Sequence, residues 1–218
     1  MRHVWLVAAC LFCASTVRAQ CLGDFNGDGE VSIEEIIASV NNSLEGCSSP
    51  TARFVDNGDG TVTDHKTGLQ WEKKDQSGGI HDYSNFYSWC VLRHDRGVAS
   101  CGSTNIMDGP LVTTFLAAVN SGGGFAGHTD WRIPNVDELE SIASYQNANP
   151  AADAVFNTGC AAGCTVTTCS CTQSNSYWAS TTYQEDPTVA WEVYFNDGFV
   201  DAEGKLVDGY VRAVRNAP

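Results

Sequence analysis

"RFVDNGDGTVTDHKTGLQWEKK", residues 53–74, decides the fold of the larger part of this chain. Phe54–Val55, Thr61–Thr63 and Leu69–Trp71 are short β signals, and Gly58, Gly60 and Gly68 punctuate them. In "DNGDG" the acids Asp56 and Asp59 miss the alternate spacing of a calcium loop, so a hairpin turn is expected there. The chain from residue 53 onward therefore opens in β structure.

Two helices are expected further on. "PLVTTFLAAVNSGGG" places Pro110 at an early helical position and stops at Gly122, with Leu111, Phe115, Leu116 and Val119 as its buried stripe. "NVDELESIASY" offers Asn135 as N-cap with Glu138 three residues on, the spacing of a capping box. Strands return at "YWASTTY", at "AWEVYFNDGFV" and at "GYVRAVR". The second of these reads as a hairpin with Trp191, Val193 and Phe195 on one face and an Asn-Asp-Gly turn. Strands at both ends with helices between them predict an α+β fold.

Upstream, "SSPTA" (48–52) reads as a linker, and a different module precedes it. From Asp24 the pattern D-x-[DN]-x-[DN]-G-x5-E of an EF-hand loop is met at every position. Asp24, Asn26 and Asp28 supply side-chain oxygens, Gly29 allows the sharp turn, and Glu30 offers its carbonyl. Ser32 acts through water, and Glu35 closes the site with both carboxylate oxygens. Calcium suits this set because it is a hard ion, and clustered carboxylates repel one another without a cation. Ile33, Ile36, Ile37, Val40 and Leu44 follow at helical spacing, and Ser32 with Glu35 forms a second capping-box pair. No entering helix fits between Cys21 and Asp24, so the module resembles a single dockerin-type repeat. A unit this small needs a metal or a disulfide to fold.

The first residues, "MRHVWLVAACLFCASTVRAQ", combine a short basic start, an apolar run and a small-residue cleavage site. They are expected to be a signal peptide, residues 1–19. Its loss with Arg2 and Arg18 takes the net charge from −14 to −16. That charge disfavours nucleic acid and anionic membranes, which require basic surface. No run is long enough to span a bilayer. Eight cysteines remain beyond the leader: Cys21, Cys47, Cys90, Cys101, Cys160, Cys164, Cys169 and Cys171. An even number in an exported chain reads as disulfides. Proximity groups them as Cys21 with Cys47, Cys90 with Cys101, and two bonds among the last four. Cys169 and Cys171 are too close to join each other, which leaves a crossed and a nested pairing open; a zinc cluster of these four is the rival reading.

Together "FVDNGDGTVTDHKTGLQWEKK", "GHTDWRIPNVDELESI", "YWASTTY", "AWEVYF" and "YVRAVR" resemble the Lcl C-terminal domain family over residues 53–216. The resemblance implies a C-type-lectin-like fold, related in order to formylglycine-generating-enzyme domains, with chain ends close together. It also implies a bacterial protein that is secreted, periplasmic or at the cell surface, acting in adhesion. A family member binds sulfated glycans as a trimeric adhesin; this chain differs in its acidic charge and in having no collagen-like stalk.

No G-x-S-x-G, phosphate-cradling loop or metal-spaced histidine pair is present in the sequence. The formylglycine enzymes use late thiols, and "GYVRAVR" carries none. Asp137, Glu138 and Glu140 sit at a helix start, where the dipole favours acids. Asp130, Trp131, Arg132 and Asn135 form the candidate ligand set, an indole beside groups that hydrogen-bond a sugar; the alternative is that Arg132 pairs with an acid and Trp131 fills the core. Trp71, Trp178 and Trp191 are assigned to the core. The expectation is a non-enzymatic exported binding or adhesion protein, stabilised by Ca2+, with a glycan or surface protein as partner. An enzyme of formylglycine-oxidase ancestry and a dockerin-like assembly component are the alternatives.

Overall fold

The computed structural model describes residues 31–45, 52–95, 98–101 and 106–218. The chain divides into one unit that ends at Thr51 and a second of Ala52–Pro218. In the first, helix α1 spans Ile33–Glu45. Its start is the expected reciprocal cap: Glu35 N donates to Ser32 Oγ (3.2 Å) and Ser32 N donates to Glu35 Oε2 (2.8 Å). Ile33, Ile36, Ile37 and Val40 form an exposed stripe, while Glu35 is only 8 % exposed. The leader, Cys21, Cys47 and loop residues Asp24, Asn26, Asp28 and Glu30 lie outside the described residues.

The second unit is mostly β-sheet with short helices. Strands β1 (Phe54–Asp56), β2 (Thr61–Asp64) and β3 (Leu69–Glu72) form an antiparallel run, and β11 (Val214–Asn216) pairs with β3. The first and last strands of the domain thus share one sheet. A second sheet has the order β4 (Phe86–Ser88), β10 (Asp208–Tyr210), β7 (Ser176–Thr182), β8 (Val189–Tyr194), β9 (Phe199–Gly204). Only its β10–β7 pair is parallel. β5 (Arg93–Asp95) and β6 (Val98–Ser100) make a separate ribbon.

"DNGDG" is a hairpin connection. Asn57 N donates to Thr61 O (3.0 Å), and Asp59 Oδ1 accepts from both Thr61 N (3.0 Å) and Thr61 Oγ1 (2.6 Å). Gly60 has φ +99°, and a Cβ there would lie 2.8 Å from Val166 and 2.9 Å from Phe125, so both backbone and space demand glycine.

Both expected helices form, in altered shape. Residues Leu111–Leu116 are a π-turn that continues into α2 (Ala117–Val119), with Leu111, Phe115 and Val119 buried and Leu116 partly so. Helix α3 (Val136–Glu140) has Asn135 as N-cap in a complete capping box with Glu138. It stops at Glu140 rather than running to Tyr145. Past its end the chain closes i→i−3 bonds, Ile142 N to Leu139 O (3.4 Å) and Ala143 N to Glu140 O (2.9 Å), and Arg53 Nη2 takes the Ser141 carbonyl (2.7 Å).

Two apolar clusters fill the domain. One joins Val62, Leu69, Trp71, Leu139, Phe156, Tyr177, Val193 and Phe195; the other joins Trp89, Leu111, Phe115, Trp131, Trp178 and Val211. Each such side chain contributes about 1.5–3 kcal/mol by leaving water. Alongside them sits a buried ionic knot. Glu72, at the end of β3, has Lys74 Nζ at 3.0 Å and His81 Nδ1 at 2.7 Å, and accepts from Ala213 N (2.8 Å). Arg212 Nη1 donates to the Glu72 carbonyl (2.7 Å), and its Nη2 donates to Cys171 O (2.8 Å) and Thr172 Oγ1 (2.9 Å).

Burial pushes the Glu72 carboxyl up. Lys74, His81 and the Ala213 amide more than offset this, and its pKa lies below the usual glutamate value. The unfolded chain therefore takes up this proton at higher pH than the folded one. The stabilisation is present above the unfolded value of about 4.3 and is lost as pH falls through the folded value. Thermal melts across pH 2–7 should show a falling midpoint below about pH 4. Glu72→Gln should flatten that acid limb and cost about 3–5 kcal/mol at neutral pH, because Lys74 is left buried without its partner.

Candidate functional site

Strand β7 carries the site. Its pairing with β8 is regular from Ser176↔Tyr194 to Trp178↔Glu192, then slips, so that Thr182 faces Ala190. The bulge lets Ser180 reach sideways: its N and Oγ both donate to Pro134 O (2.8 and 3.1 Å). Bulges commonly re-aim side chains next to sites. Beyond this one, Thr181, Thr182, Tyr183, Gln184 and Glu185 line an open groove of about 690 Å3 with Trp191 of β8.

The groove is walled by two aromatic rings at right angles. Tyr183 and Trp191 have centroids 5.2 Å apart and an interplanar angle of 86°. Trp191 packs partly against the core and stays partly exposed. The Tyr183 hydroxyl donates to Glu185 Oε2 (2.9 Å), and that carboxylate raises the phenol's pKa. Thr181 Oγ1 accepts from Val136 N (3.1 Å), the first residue of α3.

The loop from Tyr183 to Val189 is closed on itself. Tyr183 N donates to Val189 O (3.0 Å) and Val189 N to Asp186 O (3.0 Å). Asp186 Oδ1 accepts from Thr188 N (3.0 Å) and Thr188 Oγ1 (2.6 Å). Lys205 then clamps it from beneath: Nζ donates to Thr182 Oγ1 and to Pro187 O, both at 2.8 Å. The residue is 1 % exposed, and its ammonium lies 4.0 Å from the centroid of the Trp89 ring. Burial pulls its pKa below the usual lysine value.

The set chosen from sequence lies beside this groove's supporting strand. Asp130 is exposed and accepts from Arg215 Nε (2.8 Å). Trp131 is 3 % exposed and gives its indole N–H to Phe125 O (2.9 Å), so its faces are packed in the core. Arg132 makes a bidentate pair with Glu138, both bonds 2.7 Å. This pairing holds the Glu138 carboxyl below its usual value, although burial opposes it. Asn135 spends its side chain on Glu138 N (2.8 Å). These side chains shape the Asp130–Val136 segment, whose Pro134 carbonyl and Val136 amide engage β7. Trp191, assigned to the core, does pack partly against it and also lines the groove. Lys205 carries no local signal in "EGKLVDG", because its partners Thr182 and Pro187 lie 23 and 18 residues away.

All six cysteines described are paired, as Cys90–Cys101, Cys160–Cys171 and Cys164–Cys169. The last two are the nested arrangement. The sulfurs of Cys164, Cys169 and Cys171 lie within 4.8 Å of one another. They belong to two disulfides, and a thiolate, not a disulfide sulfur, is the zinc ligand. Among the described residues no helix is long and apolar enough to cross a membrane.

The domain is sheet-based and disulfide-braced, with an aromatic groove at the end of a strand. The Lcl C-terminal domain model matches residues 60–215, and the chain belongs to that family. Comparison with curated proteins and with solved structures finds no match.

The Lys205 clamp makes a direct prediction. Lys205→Met should cost about 1–3 kcal/mol, because two hydrogen bonds from a charged donor are lost. The Tyr183 and Val189 amides should exchange faster with deuterium, while those of β2 and β3 stay protected. Unchanged exchange in the loop would show that Lys205 only fills space.

Proposed function

We propose that this protein is an exported, non-enzymatic binding or adhesion module with a C-type-lectin-like body, taking a glycan or a surface protein in the β7–β8 groove. The observation that carries the reading is the right-angled pair of Tyr183 and Trp191 in an open groove edged by Glu185, Gln184 and two threonines. Aromatic faces give contact area at low entropic cost, and the flanking polar groups fix orientation. Six cysteines held in disulfides favour an oxidising compartment. A glycan and protein-ligand screen of the full chain tests this. Trp191→Ala and Tyr183→Ala should each weaken the captured ligand at least about tenfold, equivalent to about 1.4 kcal/mol, while the far-ultraviolet spectrum is kept. Undiminished capture by both variants would remove the groove from the function.

The N-terminal unit is proposed to be stapled by Ca2+ through Asp24, Asn26, Asp28, the Glu30 carbonyl, Ser32 and Glu35. Ser32 and Glu35 support this. Glu35 is a nearly buried carboxylate at the head of α1, held in orientation by the Ser32 amide, at the loop's twelfth position, where a calcium loop takes its bidentate ligand. Extracellular calcium modules bind at about 0.1–1 mM, so a tenfold excess of calcium should stabilise this unit by about 1.4 kcal/mol. Glu35→Gln should remove most of that gain. Hydrogen exchange with and without calcium locates the effect: protection is expected within residues 20–48, and gains confined to 53–216 would contradict the staple.

A further inference from the structure

The charges around the β7–β8 groove constrain its ligand more narrowly than a glycan or a surface protein in general. Given that the groove is a saccharide site, on which the selectivity rests, we propose that it selects an uncharged pyranoside and rejects sulfated or carboxylated saccharides.

The two rings define the shape of the ligand. With their planes at 86° and centroids 5.2 Å apart, Tyr183 and Trp191 form a corner rather than a parallel slot. A pyranose fits such a corner by laying its C–H face on one ring and an edge against the other. The attraction is electrostatic as well as dispersive, since C–H hydrogens are slightly positive and ring faces slightly negative. An intercalated planar aromatic ligand would need the parallel arrangement instead.

The polar lining defines the charge. Glu185 is exposed, and Tyr183 occupies only its Oε2, so Oε1 can accept ligand hydroxyls. Gln184 is exposed beside it and offers both a donor and an acceptor. Asp186, further along the same loop and outside the lining, has its carboxylate held by Thr188 and is balanced by Lys205. Among the described residues, the lining contains no cation. Lys205 is buried behind Thr182, with its ammonium held by Thr182 Oγ1, Pro187 O and the Trp89 ring rather than exposed in the lining. An anionic sugar would meet the Glu185 carboxylate in a lining that holds no cation, and charges this close are little screened at physiological salt. A neutral sugar meets the same Glu185 carboxylate as a hydrogen-bond acceptor.

The test uses the full chain in calcium-containing buffer. Methyl β-galactopyranoside and methyl β-glucopyranoside serve as neutral probes; methyl glucuronide and a sulfated heparin-type tetrasaccharide serve as anionic probes. Binding is read by NMR at the Trp191 indole, assigned by its loss in Trp191→Phe. At least one neutral probe should shift that resonance at concentrations at least tenfold lower than either anionic probe. Glu185→Gln should narrow the gap by admitting the anionic probes. An anionic probe that binds through Trp191 as tightly as the neutral ones, weakening with added salt, would overturn the selectivity while leaving the groove as a saccharide site. If none of the four probes moves the Trp191 resonance, the groove is not a pyranoside site and the saccharide reading falls with the selectivity.

Discussion

The structure depends on one buried carboxylate and one buried guanidinium. Glu72 closes β3, and its main chain and side chain both bind Ala213: Glu72 N donates to Ala213 O (3.0 Å) and Ala213 N donates back to Glu72 Oε2 (2.8 Å). Residues 211–213 are the short passage between β10 in the five-stranded sheet and β11 in the four-stranded one. Arg212, in that passage, ties the Glu72 carbonyl to Cys171 and Thr172. Cys171 N in turn donates to Lys74 O (2.9 Å). Two sheets and the disulfide-bonded segment therefore meet at one polar knot. Such a knot specifies geometry more than it adds stability, since desolvating the charges offsets much of their attraction. Removing one partner, however, strands the other in the core.

With the sheets held this way, the groove belongs to the outer part of the second sheet. The β7 bulge turns Ser180 and Thr181 toward the Pro134–Val136 backbone and leaves Trp191 without full cover. Helix α3, its Asn135 cap and the Arg132–Glu138 pair fix the position of that backbone. The residues picked out by sequence thus contribute by holding a scaffold on which others present their faces. Lys205 completes the support by fixing the loop at Thr182 and Pro187. A loop fastened in this way has little conformational freedom left to lose.

Much of this chain was legible from local chemistry alone. The turn residues of "DNGDG" mark the β1–β2 hairpin, and Asn135 with Glu138, like Ser32 with Glu35, announces a helix start. The cysteines of residues 90–101 and 160–171 pair within their own segments. Each is a short-range feature, set by backbone geometry or by side chains a few residues apart, so one stretch of sequence contains all of its cause. The nested rather than crossed pairing of the last four cysteines was beyond that reach, because both satisfy the spacing.

Tertiary structure alone decided what is buried with what. Lys74, Lys205 and Arg212 look like surface cations in sequence, and each is buried because its partners arrive from distant parts of the chain. Trp191 alternates in step with Val193 and Phe195, as a core residue does, and a bulge in the neighbouring strand leaves it partly open. Trp131 stands among hydrogen-bonding groups as a sugar platform would, and Phe125 and Asn120 enclose it. Periodicity reports which face of an element a residue occupies. Whether that face is covered depends on the elements packed against it, and in this domain those come from far along the chain.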